Sequence, residues 1–583
     1  MSVLDKINGP KDIKSLDLPQ LDTLAEEVRA AVLNKVSKIG GHVGPNLGVV
    51  EATIALHYVF NSPIDKIVFD VSHQSYPHKI LTGRKDGFLD DSQLYHWSGY
   101  TNPNESEHDF FTVGHTSTSV SLACGLAKAR DVLHQPGNVI ALIGDGSISG
   151  GEALEGFSNA AASNSNIIIV VNDNEMSIAD NHGGLYTALR TLRETNGKSE
   201  NNWFKAMGFE YHYVENGNNI ADLINVFKTI KDTTLPTIVH IHTLKGKGYA
   251  LAEQNKEAWH WNVPFDLKTG APKFDMSGES YQSVTAKHLV EKVKQDSSIV
   301  VVNAGTPGAV GLSPDIRAQL GSNFVDVGIA EEHAVAMTSA LAKGGCKPVY
   351  LCLSTFIQRT YDQLSQELAI NNNPAVILIF YGSMGALNDV THMGIFDIPL
   401  ISNIPNIKYL TPTCKDEYLS MLDWAIEQKE SPVVIRVPLN LASPGVAVEK
   451  DYANVGYQVV NKGSKAALLA VGDFLDLGRD AVKALAQKGI KATLINPRTV
   501  TEIDKKTLDE LKQNHSLVAT IEDGVVSGGF GEKIARYYGT DDKMKVLCFG
   551  APKVFTDRIS AKELHKRYHL TPEQICDDII KKL

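Results

Sequence analysis

VIALIGDG (residues 139–146) and IIIVVNDN (residues 167–174) decide the reading of this chain, with Asn174 standing 29 residues beyond Asp145. Each is a short β-branched run closing on polar residues, the pattern of a parallel strand buried on both faces. In a doubly wound sheet the carboxyl ends of neighbouring strands open onto one crevice, where ligands bind. A carboxylate and an amide oxygen at that edge suit Mg²⁺, whose octahedral oxygen shell diphosphate oxygens would complete. Glycines 144 and 146 let backbone approach a phosphate closely. Alone, GDG reads as a strand-to-helix turn with a capping aspartate; the paired NDN selects the metal-diphosphate reading.

Similar units extend in both directions, and they predict an α/β protein of three doubly wound domains. The first block, residues 1–270, adds VFDVSH (68–73) and TIVHIHT (237–243). Leu21, Leu24, Val28, Val32, Val36 and Ile39 fall at helical spacing ahead of them, and Gly40-Gly41 would stop that helix. The turn-rich stretch 265–280 reads as a linker. The second block, residues 281–445, offers IVVVNAG (299–305), FVDVG (324–328), PVYLCLS (348–354), AVILIF (375–380) and VVIRVP (433–438). The third, residues 455–583, offers AALLAVG (466–472), KATLINP (491–497), LVATIEDG (517–524) and KVLCFG (545–550).

A length of 583 residues suits three or four domains. The 56 Lys and Arg against 67 Asp and Glu leave a net charge of −11 without long runs of one sign, so neither nucleic acid nor an anionic membrane is the expected partner. Six scattered cysteines with no CxxC pair argue against a disulfide framework or a zinc knuckle. The first twenty residues lack an apolar core of signal-peptide length, which predicts a cytoplasmic address.

The pair GDG and NDN resembles the thiamine diphosphate motif, and the resemblance runs nearly end to end. GGHVGPNLGVVEATIALHYVF (40–60), FDVSHQSYPHKILTGRK (69–85), VGHTSTSVS (113–121), GDGSISGGEALEG (144–156), NDNEMSI (172–178), DVGIAEEHAV (326–335), STFIQRTYDQ (354–363) and GGFGEKI (528–534) resemble the 1-deoxy-D-xylulose-5-phosphate synthase family of the transketolase superfamily. That likeness implies a homodimer with thiamine diphosphate and Mg²⁺ as cofactors and a role in isoprenoid biosynthesis. Its chemistry would be decarboxylation of pyruvate and transfer of the two-carbon unit to an aldehyde. The cofactor would lie between the first two domains, with the third remote from chemistry. Two other readings stand beside it: ketol transfer from a ketose donor, and a non-catalytic cofactor-binding paralogue. Retention of Asp145, Asn174 and Glu331 argues against the last.

The resemblance also assigns residues. Glu331 would share a proton with the cofactor's pyrimidine ring, where an isolated glutamate would be a first-turn helix residue favoured by the dipole. Phe356 would stack on that ring. His42, His260 and His392 would carry protons and Arg359 would hold the pyruvate carboxylate. His73, His115, Gly144, Asp145, Gly146, Ser147, Asn174, Met176, Ile178 and Lys247 would contact the cofactor, with Asp145, Asn174 and Met176 as the metal set.

The chain departs from the family on the acceptor side. Tyr381 and Leu439 stand where arginines are expected, Leu353 replaces a tyrosine and Asn388 an aspartate. Arginine forks suit a phosphate dianion, so their loss predicts an acceptor different from, or held differently from, glyceraldehyde 3-phosphate. The segment after Ile178 is short, and Val-Asp-Gly-His-Asp appears as Val214-Glu215-Asn216-Gly217-Asn218, which puts lid behaviour in question.

Overall fold

The computed structural model describes residues 2–275, 277–387, 389–440 and 445–583. They form two compact units: residues 1–278 with 328–330, and residues 279–327 with 331–583. The first unit carries a five-stranded sheet and a two-stranded one, Gly41–His42 with Trp261–Asn262, and the second carries two sheets.

The first sheet comprises β1 (Lys66–Phe69), β2 (Val139–Gly144), β3 (Ile168–Asp173), β4 (Glu210–Val214) and β5 (Thr237–His242). All are parallel, in the order β1-β2-β3-β5-β4. Strands β2 and β3 are buried along nearly their whole length because helices cover both faces. Helix α1 (Leu18–Ile39) packs Leu21, Leu24, Val28, Val32 and Val36 into the core on one face. It begins at Asp17, whose side chain accepts from Gln20 N, and ends at Gly40, whose φ of +81° a side chain would resist. Helices α2 (Ser119–Val132), α3 (Gly151–Ala161) and α4 (Gly184–Glu194) contribute Val120, Phe157 and Leu189 to the core on the other.

In the second unit, β6 (Ile299–Asn303), β7 (Phe324–Asp326), β8 (Lys347–Leu353), β9 (Val376–Phe380), β10 (Lys408–Leu410) and β11 (Val433–Arg436) form a parallel sheet in the order β10-β11-β9-β8-β6-β7. Helix α5 (Glu331–Lys343) packs on β8. The third sheet runs β12-β14-β13-β15-β16, from β12 (Gln458–Asn461), β13 (Lys465–Ala470), β14 (Thr493–Asn496), β15 (His515–Val525) and β16 (Lys545–Ala551). Only its edge strand β12 is antiparallel. One apolar cluster joins the second and third sheets: Ile377 and Ile379 share it with Leu469, Ile495, Val518 and Phe530.

Each strand read from the sequence is present. Five more escaped that reading: β4, β10 and β12, which are edge strands, and the two-residue strands Gly41–His42 and Trp261–Asn262. β4, EYHYV, is exposed at its start and carries no continuous apolar run, while β10 is buried but only three residues long.

Candidate active site

The first cluster lies at the carboxyl ends of β2 and β3. Gly144 pairs with Asn172 across the ladder, so Asp145 and Asn174 leave the sheet at the same edge. Both are buried, at 1% and 8% exposure. Asn181 Nδ2 donates to Asp145 Oδ2 at 2.7 Å, and Tyr186 donates to the carbonyl of Gly146 at 3.2 Å. Arg193 donates to Asp173 at 2.5 Å, and His240 lies 2.9 Å from the same carboxylate. The short segment after Ile178 is therefore anchored on the motif edge at three points, Asn181, Tyr186 and Arg193. Burial first, and then the carboxylate of Asp173, push Asp145 well above the usual carboxylate range. Burial also opposes ionisation of Asp173, but His240 and Arg193 outweigh it and draw that group down.

Several polar atoms here are buried without a hydrogen-bond partner among the described residues: Asn174 Oδ1, Ser177 Oγ and Asn181 Oδ1. A Cβ built on Gly144 meets nothing within 4 Å, while one on Gly146 would come 2.8 Å from Ser177 Cβ. Unsatisfied oxygens, an open glycine cradle and a carboxyl short of positive charge fit a divalent cation carrying a diphosphate. Ser147 is buried beside them and its carbonyl accepts from Ser117 Oγ at 2.8 Å; Met176 and Ile178 are half-buried.

Three histidines converge in the same unit. The rings of His42 and His73 are 4.9 Å apart, those of His42 and His260 5.6 Å, and those of His73 and His260 5.3 Å. The cause is local: Gly41–His42 pairs antiparallel with Trp261–Asn262, and Asn46 Nδ2 donates to the carbonyls of both His42 and His73, at 2.9 and 2.8 Å. Burial, reinforced by Lys245, His73 and His42, holds His260 well below its ordinary pKa, so its ring is neutral at neutral pH. His115 is half-buried on the loop before α2, which Asp70 grips through Ser117 N and Ser119 N, each at 2.9 Å.

The two lysines of the LKGKGY turn separate. Lys245 is 2% exposed and donates to the carbonyl of Ser177 at 2.5 Å, and burial lowers it to about 7 against the pull of Asp145. Lys247, the residue picked from sequence, instead points at Glu51 and the carbonyl of Asn218, each 3.2 Å away. Spacing could not tell the two apart, because both follow a strand and differ only in which way a glycine turn aims them. Asn218 itself braces the unit, donating to the Gly48 carbonyl and to Glu51, both at 3.0 Å, and accepting from Leu244 N. Sequence reasoning missed Asn46 and Asn181 and chose Lys247 over Lys245 within one turn; the signal for all three lies in partners distant along the chain.

The second cluster lies in the other unit. Glu331 opens α5 at 3% exposure, and its Oε2 makes no hydrogen bond among the described residues. Arg359 Nη1 stands 3.6 Å from that oxygen. Burial raises the Glu331 pKa and Arg359 only partly offsets it. Phe356 meets His392 edge to face at 5.7 Å, and His392 Nδ1 lies 3.2 Å from Asp389 Oδ1. Burial opposes ionisation of Asp389, but His392 and Thr391 hold it below the usual range.

On the acceptor side, Tyr381 sits at φ +60° at the end of β9 and donates to the carbonyl of Ala309 at 3.1 Å. Leu353 is core. Leu439 N donates to Asp473 at 3.2 Å. Arg436, the arginine retained in RVPLN, is 6% exposed and forked onto Asp397 at 2.7 and 3.0 Å. Asn388 lies outside the described residues.

Three family models match the chain: 1-deoxy-D-xylulose-5-phosphate synthase over residues 4–201 and 195–243, the transketolase pyrimidine binding domain over 278–443, and the transketolase C-terminal domain over 456–575. Fold and matches together define a thiamine diphosphate-dependent transferase of the transketolase superfamily. The 1-deoxy-D-xylulose-5-phosphate synthase of Caldanaerobacter subterraneus subsp. tengcongensis is 37% identical over 620 residues, covering 100% of this chain and 99% of its own. That of Desulforudis audaxviator is 37% identical, covering 99% of this chain and 96% of its own. The chain belongs to the 1-deoxy-D-xylulose-5-phosphate synthase family. Among solved structures, the transketolase of Campylobacter jejuni subsp. jejuni NCTC 11168 aligns with 97% of this chain and 100% of its own at 16% identity and a TM-score of 0.45.

Proposed function

We infer that this protein decarboxylates pyruvate with thiamine diphosphate and transfers the two-carbon unit to an aldehyde. The observation that carries the reading is Asn174 Oδ1, buried and unsatisfied beside Asp145 at the ends of adjacent strands. When bound, the coenzyme supplies an electron sink for the carbon–carbon bond that breaks. Asp145 and Asn174 would hold Mg²⁺, and Met176 would join them through an oxygen rather than its thioether, which is too soft for this ion. Gly144, Gly146, Ser147, His115 and Ile178 line the diphosphate end, with Lys245 as the nearby cation.

Glu331, whose pKa burial raises, would share a proton with the pyrimidine of the bound coenzyme, and Phe356 would stack on that ring. Arg359 binds the pyruvate carboxylate. Neutral His260, with His42 and His73 beside it, accepts a proton, and His392, oriented by Asp389, delivers one to the acceptor oxygen.

The acceptor is an aldehyde lacking the phosphate of glyceraldehyde 3-phosphate, or holding it elsewhere. Tyr381 and Leu439 offer no fork, and Arg436 is consumed by Asp397 and the carbonyl of Asp523. One experiment tests both statements: incubate the protein with pyruvate, Mg²⁺, thiamine diphosphate and paired phosphorylated and unphosphorylated aldehydes, and identify products by mass spectrometry. No pyruvate-dependent product overturns the activity. A strong preference for the phosphorylated aldehyde overturns the acceptor proposal alone.

We also place the protein in the cytoplasm as a homodimer. Six unpaired cysteines suit a reducing compartment, and no helix among the described residues is long and apolar enough to cross a membrane.

A further inference from the structure

The sequence reading set the third sheet apart from the chemistry, yet the segment that carries His392 is fastened to that sheet and to the loop after its last strand by five hydrogen bonds. Ser383 Oγ donates to Asp523 Oδ2, and Met384 N donates to Asp523 Oδ1 at 2.8 Å. Val390 N donates to Asp557 at 3.3 Å. Thr556 N points at Met393 Sδ at 3.3 Å, and Val525 N donates to the Ile395 carbonyl at 3.0 Å. Its own sheet holds it at two places: Ser354 Oγ donates to the Gly394 carbonyl at 2.7 Å, and Arg436 and Tyr409 bond Asp397 at its end.

Asp523 dominates this arrangement because it governs both ends of the segment. Its carboxylate takes the start, residues 383 and 384. Its carbonyl accepts from Arg436 Nη2 at 2.7 Å, and the same guanidinium forks onto Asp397, the first residue of the short helix α6 (Asp397–Ile401) that closes the segment. Tyr409 also donates to Asp397. Asp523 is 2% exposed, Arg436 6% and Asp397 0%. A buried carboxylate with both oxygens committed to one neighbouring strand of chain has no solvent to replace them, so its loss is transmitted to that chain rather than absorbed.

We propose that Asp523 is a positioning residue for the reaction, acting through residues 383–387 and 389–397 to fix His392. This rests on the reading above in which His392 transfers a proton. Between the two anchored ends, Asp389 gathers Thr391 N at 2.9 Å, Thr391 Oγ1 at 2.5 Å and the His392 ring at 3.2 Å. The imidazole is thus set by a tight turn whose own place is set by the third sheet. A proton donor displaced by about 1 Å loses on the order of 100-fold in rate, so the anchorage bears on turnover.

Glu522 supplies the control. It is the adjacent residue, 0% exposed, and its carboxylate accepts from Phe530 N at 2.9 Å and Gly531 N at 2.8 Å, capping the helix α7 (Phe530–Tyr538) without touching segment 383–397. The experiment compares Asp523→Asn, Glu522→Gln, His392→Asn and the double variant Asp523→Asn/His392→Asn in the full-length protein loaded with coenzyme and Mg²⁺. Melting temperature, coenzyme affinity, kcat and KM are measured for each. Asp523→Asn should lower kcat by about 10-fold or more with coenzyme affinity unchanged. Glu522→Gln should keep kcat within about twofold of the parent at a similar loss of melting temperature. The double variant should be no slower than His392→Asn alone, because the second change removes what the first positions. If Asp523→Asn fails to fold, Ser383→Ala tests the same anchor from the other side. Equal losses in Asp523→Asn and Glu522→Gln, or multiplying losses in the double variant, overturn the proposal. A fully active His392→Asn overturns it too, by removing the histidine's role, while leaving the coenzyme assignments to be judged by Glu331 and Asp145.

Discussion

Arg359 faces Glu331 at 3.6 Å, close enough to attract the carboxylate and too far to bond it, so the glutamate keeps an oxygen to offer. A carboxyl that is buried, raised in pKa and incompletely satisfied is suited to a shared proton. Replacing Glu331 with Gln should reduce turnover of pyruvate by about 10²- to 10⁴-fold, the usual range for a positioned acid or base. Coenzyme binding, followed by calorimetry, should fall far less. Turnover within twofold of the parent would remove Glu331 from the chemistry.

Asp145 and Asn174 should control uptake of the coenzyme rather than its reactivity. Asp145→Asn is expected to weaken magnesium-dependent binding of thiamine diphosphate by about 10-fold or more, consistent with the ~1.5–3 kcal/mol of a contact to a charged group. Titration calorimetry with and without Mg²⁺ reads this directly. Equal affinity in the two conditions for the parent protein would dismiss the metal site.

The lysine turn gives a paired comparison. Lys245→Met should cost coenzyme affinity about 10-fold, whereas Lys247→Met should leave it within about twofold, since Lys247 is engaged by Glu51 and the carbonyl of Asn218. The reverse order would restore the sequence assignment.

Returning the missing forks should alter the acceptor. Leu439→Arg with Tyr381→Arg is expected to lower KM for a phosphorylated aldehyde by about 10-fold and to leave KM for pyruvate unchanged. Tyr381 has a positive φ and a bond to Ala309, so the single Leu439→Arg change is the check on folding.

Acid should unfold the first unit by way of a buried pair. His78 Nδ1 lies 2.9 Å from His57, its Nε2 lies 2.9 Å from Asp109, and Arg84 forks onto that aspartate at 2.7 and 2.9 Å. Burial brings His78 down to about 4 despite Asp109. The unfolded chain therefore binds the extra proton between pH 6.5 and about 4, and stability rises with pH across that window, reaching its full value above 6.5. The group contributes on the order of 3 kcal/mol to this slope. Melting temperatures from pH 7 to 4.5 should fall less steeply in His78→Gln than in the parent.

What was legible in the sequence follows from what each element must bury. Central strands such as β2 and β3 are apolar on both faces and announce themselves, whereas β4, β10 and β12 pair on one side and carry mixed residues. The GDG and NDN pair was legible because parallel pairing brings both strand ends to one edge. Asn181 and Lys245 were not, since nothing local distinguishes a lysine that reaches Ser177 from one that reaches Glu51. Asp523 was hidden for the same reason, its partners lying some 140 residues earlier in the chain.

Ile377 and Ile379 belong to the same apolar cluster as Leu469, Val518 and Phe530. The last 130 or so residues are accordingly not a detachable cassette: a cut in the backbone between β11 and β12 should leave two fragments that travel together, and expression of the earlier piece alone should yield a sticky, insoluble product. Grafting a relative's tail onto this body would demand that both sides of the seam be exchanged at once.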